Sequence, residues 1–308
     1  MSNLKHLRNR IKSIKSSEKI TRAMQMVSAS KLQKIKHLMH SIKSYLSIAT
    51  EITNNVISNV SVQNLSIEEQ QYFYGGNKIL LILMTSERGL CGSFNSSIIK
   101  GVKADIAKFE NQGKEIQLII VGKKGYEALK DKYSKYLDSY FNMPKQEYET
   151  LLILIKKKIT TKLFKSEMNE CYIYYNKFVN AITQVTTCQR ILPLSIGGLE
   201  DQIDAIERQD KFHTGPKKID TLADEKYEIE GENLISTVIE LYLAALFNFV
   251  LLQSRASEEG ARMTAMDNAT KNATEMTEKF TLKLNRSRQA TITEELIEII
   301  SGAEAAAN

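Results

Sequence analysis

The chain has 308 residues, 43% hydrophobic and 25% charged, which excludes a mini-protein, a collagen-like repeat and a disordered polymer. That length leaves room for about two ordinary domains or one elongated one. Forty-two Lys and Arg against 36 Asp and Glu leave a net charge of +6, a mild excess that suits an acidic partner surface better than wholesale coating of nucleic acid.

All three prolines and 11 of the 14 glycines lie between Gly75 and Pro216, so both flanks are free to form long helices. In the N-terminal flank, Leu32, Ile35, Met39, Ile42, Leu46 and Ala49 step alternately by three and four, the spacing of a coiled-coil seam. An earlier patch, Leu4, Leu7, Ile11 and Ile14, repeats that spacing and reads as a shifted frame. A helix from about Leu4 to Val60 would run roughly 85 Å. Residues Met1 to Lys36 carry ten Lys or Arg and one acid, Glu18. Such a face is open to three readings: solvated charge, an acidic protein partner or nucleic acid. The segment has no Phe, Tyr or Trp to stack on bases. Ala23, Ser28, Ala29 and Ser30 are read as a small-residue face that allows close helix approach. Charged residues interrupt every apolar stretch near Met1, so no secretory signal is expected.

The middle alternates in type. Apolar runs at Lys78–Met84, Ile116–Val121, Glu170–Tyr175 and Gln184–Leu194 read as strands; Ser96–Asn111, a short stretch after Gly125 and Tyr148–Phe164 read as helices. Near-continuous apolar strands alternating with helices predict a small parallel sheet covered on both faces. Gly197 to Gly231 has little periodicity and carries both signs of charge; it reads as a loop or mobile insertion. From Ile235 the register through Val238, Tyr242, Ala245, Phe249 and onward to Leu284 is apolar at 12 of 15 positions. Its longest apolar run, Leu241–Leu252, has 12 residues and is interrupted by Asn248, against the ~20 of a membrane-spanning helix. A soluble protein is expected. A helix from about Gly231 to Ser301 would run roughly 105 Å and outreach its partner. The simplest packing is an antiparallel coiled coil of the two flanks with an inserted Rossmann-like α/β domain, divided as 1–60, 61–230 and 231–308. The tip, Glu298–Asn308, suits either an apolar socket or a frayed alanine tail.

Enzyme chemistry is not apparent. Three cysteines without a CxxC pair exclude a disulfide framework or zinc ribbon and point to a reducing compartment. No Gly-x-x-x-x-Gly-Lys-Ser/Thr occurs, and the loop Gly89-Leu-Cys-Gly92 lacks the Gly-x-Gly-x-x-Gly fingerprint of dinucleotide sites. His37 and His40 have helical spacing but no flanking Cys, Asp or Glu at i±4, so neither metal nor cofactor is expected. Cys91 has no identifiable base and reads as a small buried thiol.

Four strings carry a family resemblance: IKSIKSSEKITRAMQMVSASKLQK (Ile11–Lys34), SERGLCGSFN (Ser86–Asn95), SRASEEGARMTAMDNATKNA (Ser254–Ala273) and RQATITEELIEIISGAEA (Arg288–Ala305). Together they resemble the gamma subunits of F-type ATP synthases, the rotating central shaft, over nearly the whole chain. The resemblance implies a non-catalytic subunit whose terminal helices lie inside the hexameric head of alpha and beta subunits. Its further partners would be an epsilon subunit and the membrane rotor ring, with no nucleic acid and only peripheral membrane association. Carried over by motif, Arg22 and Met24 match the segment that faces acidic lever loops of the beta subunits, and Arg262 matches a coupling residue. Arg288, Gln289 and Thr293 match the upper beta-subunit contact. Ile292, Leu296, Ile299 and Ile300 would form an apolar bearing tip. Tyr227 falls near the foot that meets the membrane ring, where an ordinary surface tyrosine reads equally well. No cysteine lies in 197–231, so the thiol switch of chloroplast relatives is not expected. The cytoplasmic face of a bacterial inner membrane is favoured over the matrix side of a mitochondrial one. The reading from a different class, a basic coiled-coil tether for nucleic acid, would be separated by salt-resistant co-purification with ATPase subunits.

Overall fold

A computed structural model describes residues 2–58, 62–144, 148–195 and 234–307. Tyr227 and the segment 197–231 lie outside the described residues. The elements in chain order are α1 (Ser2–Ser58), α2 (Ile67–Gln70), β1 (Lys78–Met84), α3 (Phe94–Asn111), β2 (Glu115–Val121), α4 (Lys123–Leu129), β3 (Leu137–Phe141), α5 (Tyr148–Phe164), β4 (Glu170–Phe178), β5 (Gln184–Leu192) and α6 (Leu234–Ala307). The chain divides into two compact units, one of Met1–Ala29 with Arg262–Asn308, the other of Ser30–Ala261.

The first unit is a helix pair. The Arg10 guanidinium lies 4.7 Å over the Phe280 ring, Thr21 and Thr270 share a hydrogen bond of 2.8 Å, and the Gln25 amide donates to Asp267 at 2.9 Å. As numbers rise along α1 they fall along α6, so the helices are antiparallel. The seam departs from the expectation of a shifted frame. Positions 4, 7, 11, 14, 18, 21, 25 and 28 are all buried or half-buried, with Met24 and Ala29 half-buried at the flanks of the seam, and the same frame continues at Leu32 and Ile35. The frame is single because Glu18, Thr21, Gln25 and Ser28 occupy it; polar residues in seam positions made it look interrupted. The proposed small-residue face also needs correction. Ser28 is buried and Ala29 half-buried, but Ala23 and Ser30 are exposed, since seven-residue spacing puts those two together on the opposite side.

The second unit is built on a five-stranded sheet of order β3-β2-β1-β4-β5, in which only the β4–β5 pair is antiparallel. Alternation along β1 sends Leu80, Ile82 and Met84 to one face and Ile79, Leu81 and Leu83 to the other. The first face packs on α5 and on the stretches of α1 and α6 in this unit, through Ile155, Ile159, Leu46, Leu246 and Val250. The second packs on α3, through Phe94, Ile98 and Val102. Both faces are dry, which is why these strands read as unbroken apolar runs. One strand, β3, was not expected. It is a half-buried edge strand of sequence LDSYF, with no apolar run to announce it. The helix expected after Gly125 begins earlier, at Lys123, because Gly122 at φ 96° turns the chain straight from β2 into α4.

By composition α6 contains a window long and apolar enough to cross a membrane. Its side chains at Val238, Ile239, Tyr242, Leu243, Leu246, Phe247 and Val250 are instead buried in this unit's own core.

Candidate functional site

A site for nucleotide would be sought first where β1 and β2 end. There Thr85 donates its hydroxyl to the Val121 carbonyl at 2.8 Å and accepts from Gly125 N–H at 3.0 Å. A Cβ on Gly122 would lie 2.1 Å from the Thr85 carbonyl oxygen, so the two turns touch backbone to backbone. Glu87 accepts from Lys123 N–H and from Met143 N–H, each at 3.2 Å. A carboxylate of the chain itself thus stands at the start of α4, where an anion would otherwise be attracted. Cys91 is buried, and its Sγ accepts from the Asn95 amide at 3.2 Å, the environment of a packed thiol.

The exposed chemistry lies instead on the helix pair of the first unit. Its seven described cations on α1, from Lys5 to Arg22, are all exposed and stand outside the seam frame, Arg10 reaching across to the Phe280 ring. The Arg22 side chain is 59% exposed and stands 3.8 Å from Glu18. Met24 is half-buried. Beside Arg22, an open groove is lined by Gln25, Asp267, Thr270, Lys271, Thr274 and Glu275. The hydrogen bond from Lys271 holds the Asp267 carboxyl below its usual range against desolvation, aided by the Lys271 charge and the Gln25 amide.

This outward face is less purely basic than its charge count implies. Ile20, Met26 and Val27 are 57%, 64% and 55% exposed, so apolar side chains stand among the cations. Their signal was present in the sequence as apolar residues out of frame with the seam.

The remaining motif residues fall on α6. Arg262 is 7% exposed, so its guanidinium is held within the chain's own packing. Arg288, Gln289 and Thr293 are exposed, and the Thr293 hydroxyl donates to the Gln289 carbonyl one turn back at 3.0 Å. Partial burial of α6 ends at Leu284, Ser287 and Thr291, about two turns later than the Leu284 limit suggested by helix lengths alone. From Ile292 to Ala303 every side chain is exposed, including Ile292, Leu296, Ile299 and Ile300. Gln289, Thr293, Leu296 and Ile300 follow helical spacing down one stripe, and Arg288, Ile292 and Ile299 line its edge. The structure thus gathers the C-terminal candidates on one broad face and leaves Arg22 and Met24 on α1, roughly 200° apart around the helix.

A family model described as ATP synthase matches residues 3–306. The ATP synthase gamma chain of Rickettsia felis is 53% identical over 307 residues, spanning 99% of this chain and all of the relative. That of Rickettsia akari is 51% identical over the same span. Among solved structures, the central stalk and c-ring of the Tetrahymena thermophila mitochondrial ATP synthase includes a chain 26% identical to this one. It has a TM-score of 0.53 and covers 81% of this chain and 99% of its own. A chain of the Euglena gracilis mitochondrial ATP synthase, from an OSCP, F1 and c-ring assembly, shares the fold at a TM-score of 0.66 and 18% identity, covering 99% of this chain and 94% of its own.

Proposed function

Since the chain belongs to the ATP synthase gamma chain family, we propose that it works as the rotor shaft of an F-type ATP synthase, joining a proton-driven membrane ring to the catalytic head. The single observation that carries this reading is the stripe from Arg288 to Ala303, polar at its start and apolar beyond, which finds no cover within its own unit. Exposed Ile and Leu side chains repeated over three turns are a docking surface. An apolar bearing inside a hexamer of alpha and beta subunits would cover it.

The chain itself has no catalytic role in this reading; nucleotide chemistry belongs to the head. Residues 1–60 and 231–308 serve as shaft and 61–230 as the foot domain. An epsilon subunit and the membrane ring are the partners of the foot, and Tyr227 is the residue assigned to the ring. The complex sits on the cytoplasmic face of a bacterial inner membrane, which the Rickettsia relatives favour. Arg22 and Met24 meet acidic loops of the beta subunits, Arg288, Gln289 and Thr293 meet an upper beta-subunit loop, and Arg262 acts on coupling from inside the helix pair.

Torque follows from asymmetry. Three chemically equivalent beta subunits meet three different faces of one helix pair, so each angle of the shaft biases their binding sites differently. Rotation and nucleotide affinity are then linked by a coupling free energy that acts in both directions. Exposed cations reach acidic loops over about a Debye length, ~8 Å at physiological salt, and can release one loop as the next approaches. Ile20, Met26 and Val27 add short-range contact at each stopping angle. The test is reconstitution with alpha and beta subunits and a bead on the foot domain. Stepwise rotation on ATP is expected; a complex that hydrolyses ATP with this chain bound and static would refute the assignment.

A further inference from the structure

In an open sheet wound in two directions, ligands bind outside the carboxyl ends of the strands where the order reverses. Here β1 leads to β2 on one side and has β4 on the other, so the reversal lies between β1 and β4. The end of β4 is closed by the chain's own α6. Phe178 N–H donates to the Gln253 side-chain oxygen at 2.9 Å, and the Ser257 hydroxyl donates to the Asn176 carbonyl at 2.7 Å. Gly260 follows on the same helix face; a Cβ there would stand 3.2 Å from Phe178 Cε2 and 3.4 Å from Ala181 Cα.

We propose that Gln253, Ser257 and Gly260, seated on the Asn176–Phe178 end of β4, form the joint through which torque passes between the sheet and helix α6; this deepens the rotor reading above and rests on it. Three features favour a joint over ordinary packing. First, Gln253 and Ser257 are buried, and they satisfy backbone groups of β4 that no apolar side chain could serve. Second, hydrogen bonds are fixed in distance and angle and so resist sliding along the strand, whereas apolar contact is non-directional. Third, Asn176 spreads the load. Its side-chain amide donates to the Phe94 carbonyl at 2.9 Å and its oxygen accepts from the Thr186 hydroxyl at 2.8 Å. A displacement of α6 at Ser257 therefore reaches β4 directly, and α3 and β5 through one more bond.

The test uses the complex assembled with alpha and beta subunits, with a bead attached at Lys108→Cys on the exposed side of α3. A Cys188→Ser background removes the exposed native thiol, and Cys91 and Cys171 are buried. The readout is the angular variance of the bead within each dwell during slow ATP-driven stepping, which is inversely proportional to rotor stiffness. Gln253→Met with Ser257→Ala removes both hydrogen bonds while keeping helix and bulk. Both directional links would be lost and the Gly260 contact kept, and the variance should rise about twofold while ATP hydrolysis per complex is retained. Ile98→Val, which loosens the α3 core without touching the joint, should leave the variance at the wild-type value. A double variant with wild-type variance overturns the proposal, as does an equal rise in Ile98→Val. If the double variant does not assemble, Ser257→Ala alone is read by the same criterion. A wild-type bead that never rotates would instead refute the rotor reading itself.

Discussion

Replacing Ile292, Leu296, Ile299 and Ile300 together by Ala tests whether the end of α6 serves its own fold or another subunit. In the free chain these side chains are 46%, 54%, 67% and 58% exposed, so little apolar surface is lost from the fold when they shrink. Alanine also raises helix propensity by a few tenths of a kcal/mol per site, which offsets part of that small loss. The melting temperature and helical dichroism of the isolated chain should therefore stay near the wild-type values. Insertion into an apolar socket is a different matter. Each replacement removes about three methylene-sized groups worth ~0.8 kcal/mol each when fully buried, and roughly half of that surface remains to be buried on assembly, giving ~1 kcal/mol per site. Four sites give about 4 kcal/mol, or about a thousandfold in the dissociation constant. The assay is the rate at which labelled chain leaves the alpha–beta hexamer on dilution with unlabelled competitor. Unchanged retention would sink the bearing, and a marked fall in the melting temperature of the free chain would show that the stripe packs on its own molecule.

Equilibrium dialysis of the isolated chain should show no tight ATP binding, since Glu87 and the Thr85–Gly122 contact fill the strand ends; a micromolar affinity would contradict this. Met24→Lys adds an ammonium at a half-buried position of α1 and should leave the fold intact while coupling falls, because a new ion pair must break at every step at a cost of about 1 to 3 kcal/mol when partly desolvated; an unchanged ratio of protons pumped to ATP hydrolysed, with unchanged temperature dependence, would count against it. Asp138 is pushed up by burial, yet hydrogen bonds from Lys158, Lys162 and Ser139 outweigh this and hold its carboxyl low. A carboxyl lowered in the folded state stabilises fully above its unfolded value, ~3.9, and loses that contribution as pH falls through the folded value. Wild type should therefore lose stability below about pH 4 more steeply than Asp138→Asn, as followed by thermal melts at successive pH values; parallel curves would rule out this contribution.

Most of the second unit was legible from sequence because burial on both faces of the sheet forces continuous apolar strands. The bounds of β1 and α5 coincide with the expected ones. What escaped was governed by other terms. The edge strand β3 is held by backbone pairing to β2 and by ion pairs from Lys158 and Lys162 to Asp138, each at 2.7 Å, so it carries little apolar signal. The seam of α1 looked broken where Thr21 and Gln25 meet polar partners on α6, since hydropathy alone does not see a satisfied polar layer. Of the candidate contacts, the C-terminal stripe was legible as helical spacing, whereas Ile20, Met26 and Val27 were hidden by the cations around them. Burial of Arg262 could not be read from sequence at all, because a charged residue enters the interior only when the tertiary environment compensates it.

The unbroken frame of α1 has a consequence for handedness. A strict seven-residue repeat falls short of two full helical turns, and a seam that keeps to it winds as a left-handed cable. Cable laid in one hand tightens under twist of one sense and opens under the other. Synthesis and hydrolysis turn the shaft in opposite senses, so the same knobs and holes are wedged together in one mode of operation and eased apart in the other. The polar layer at Thr21 and Gln25, whose bonds depend on distance, is where that difference would be felt first.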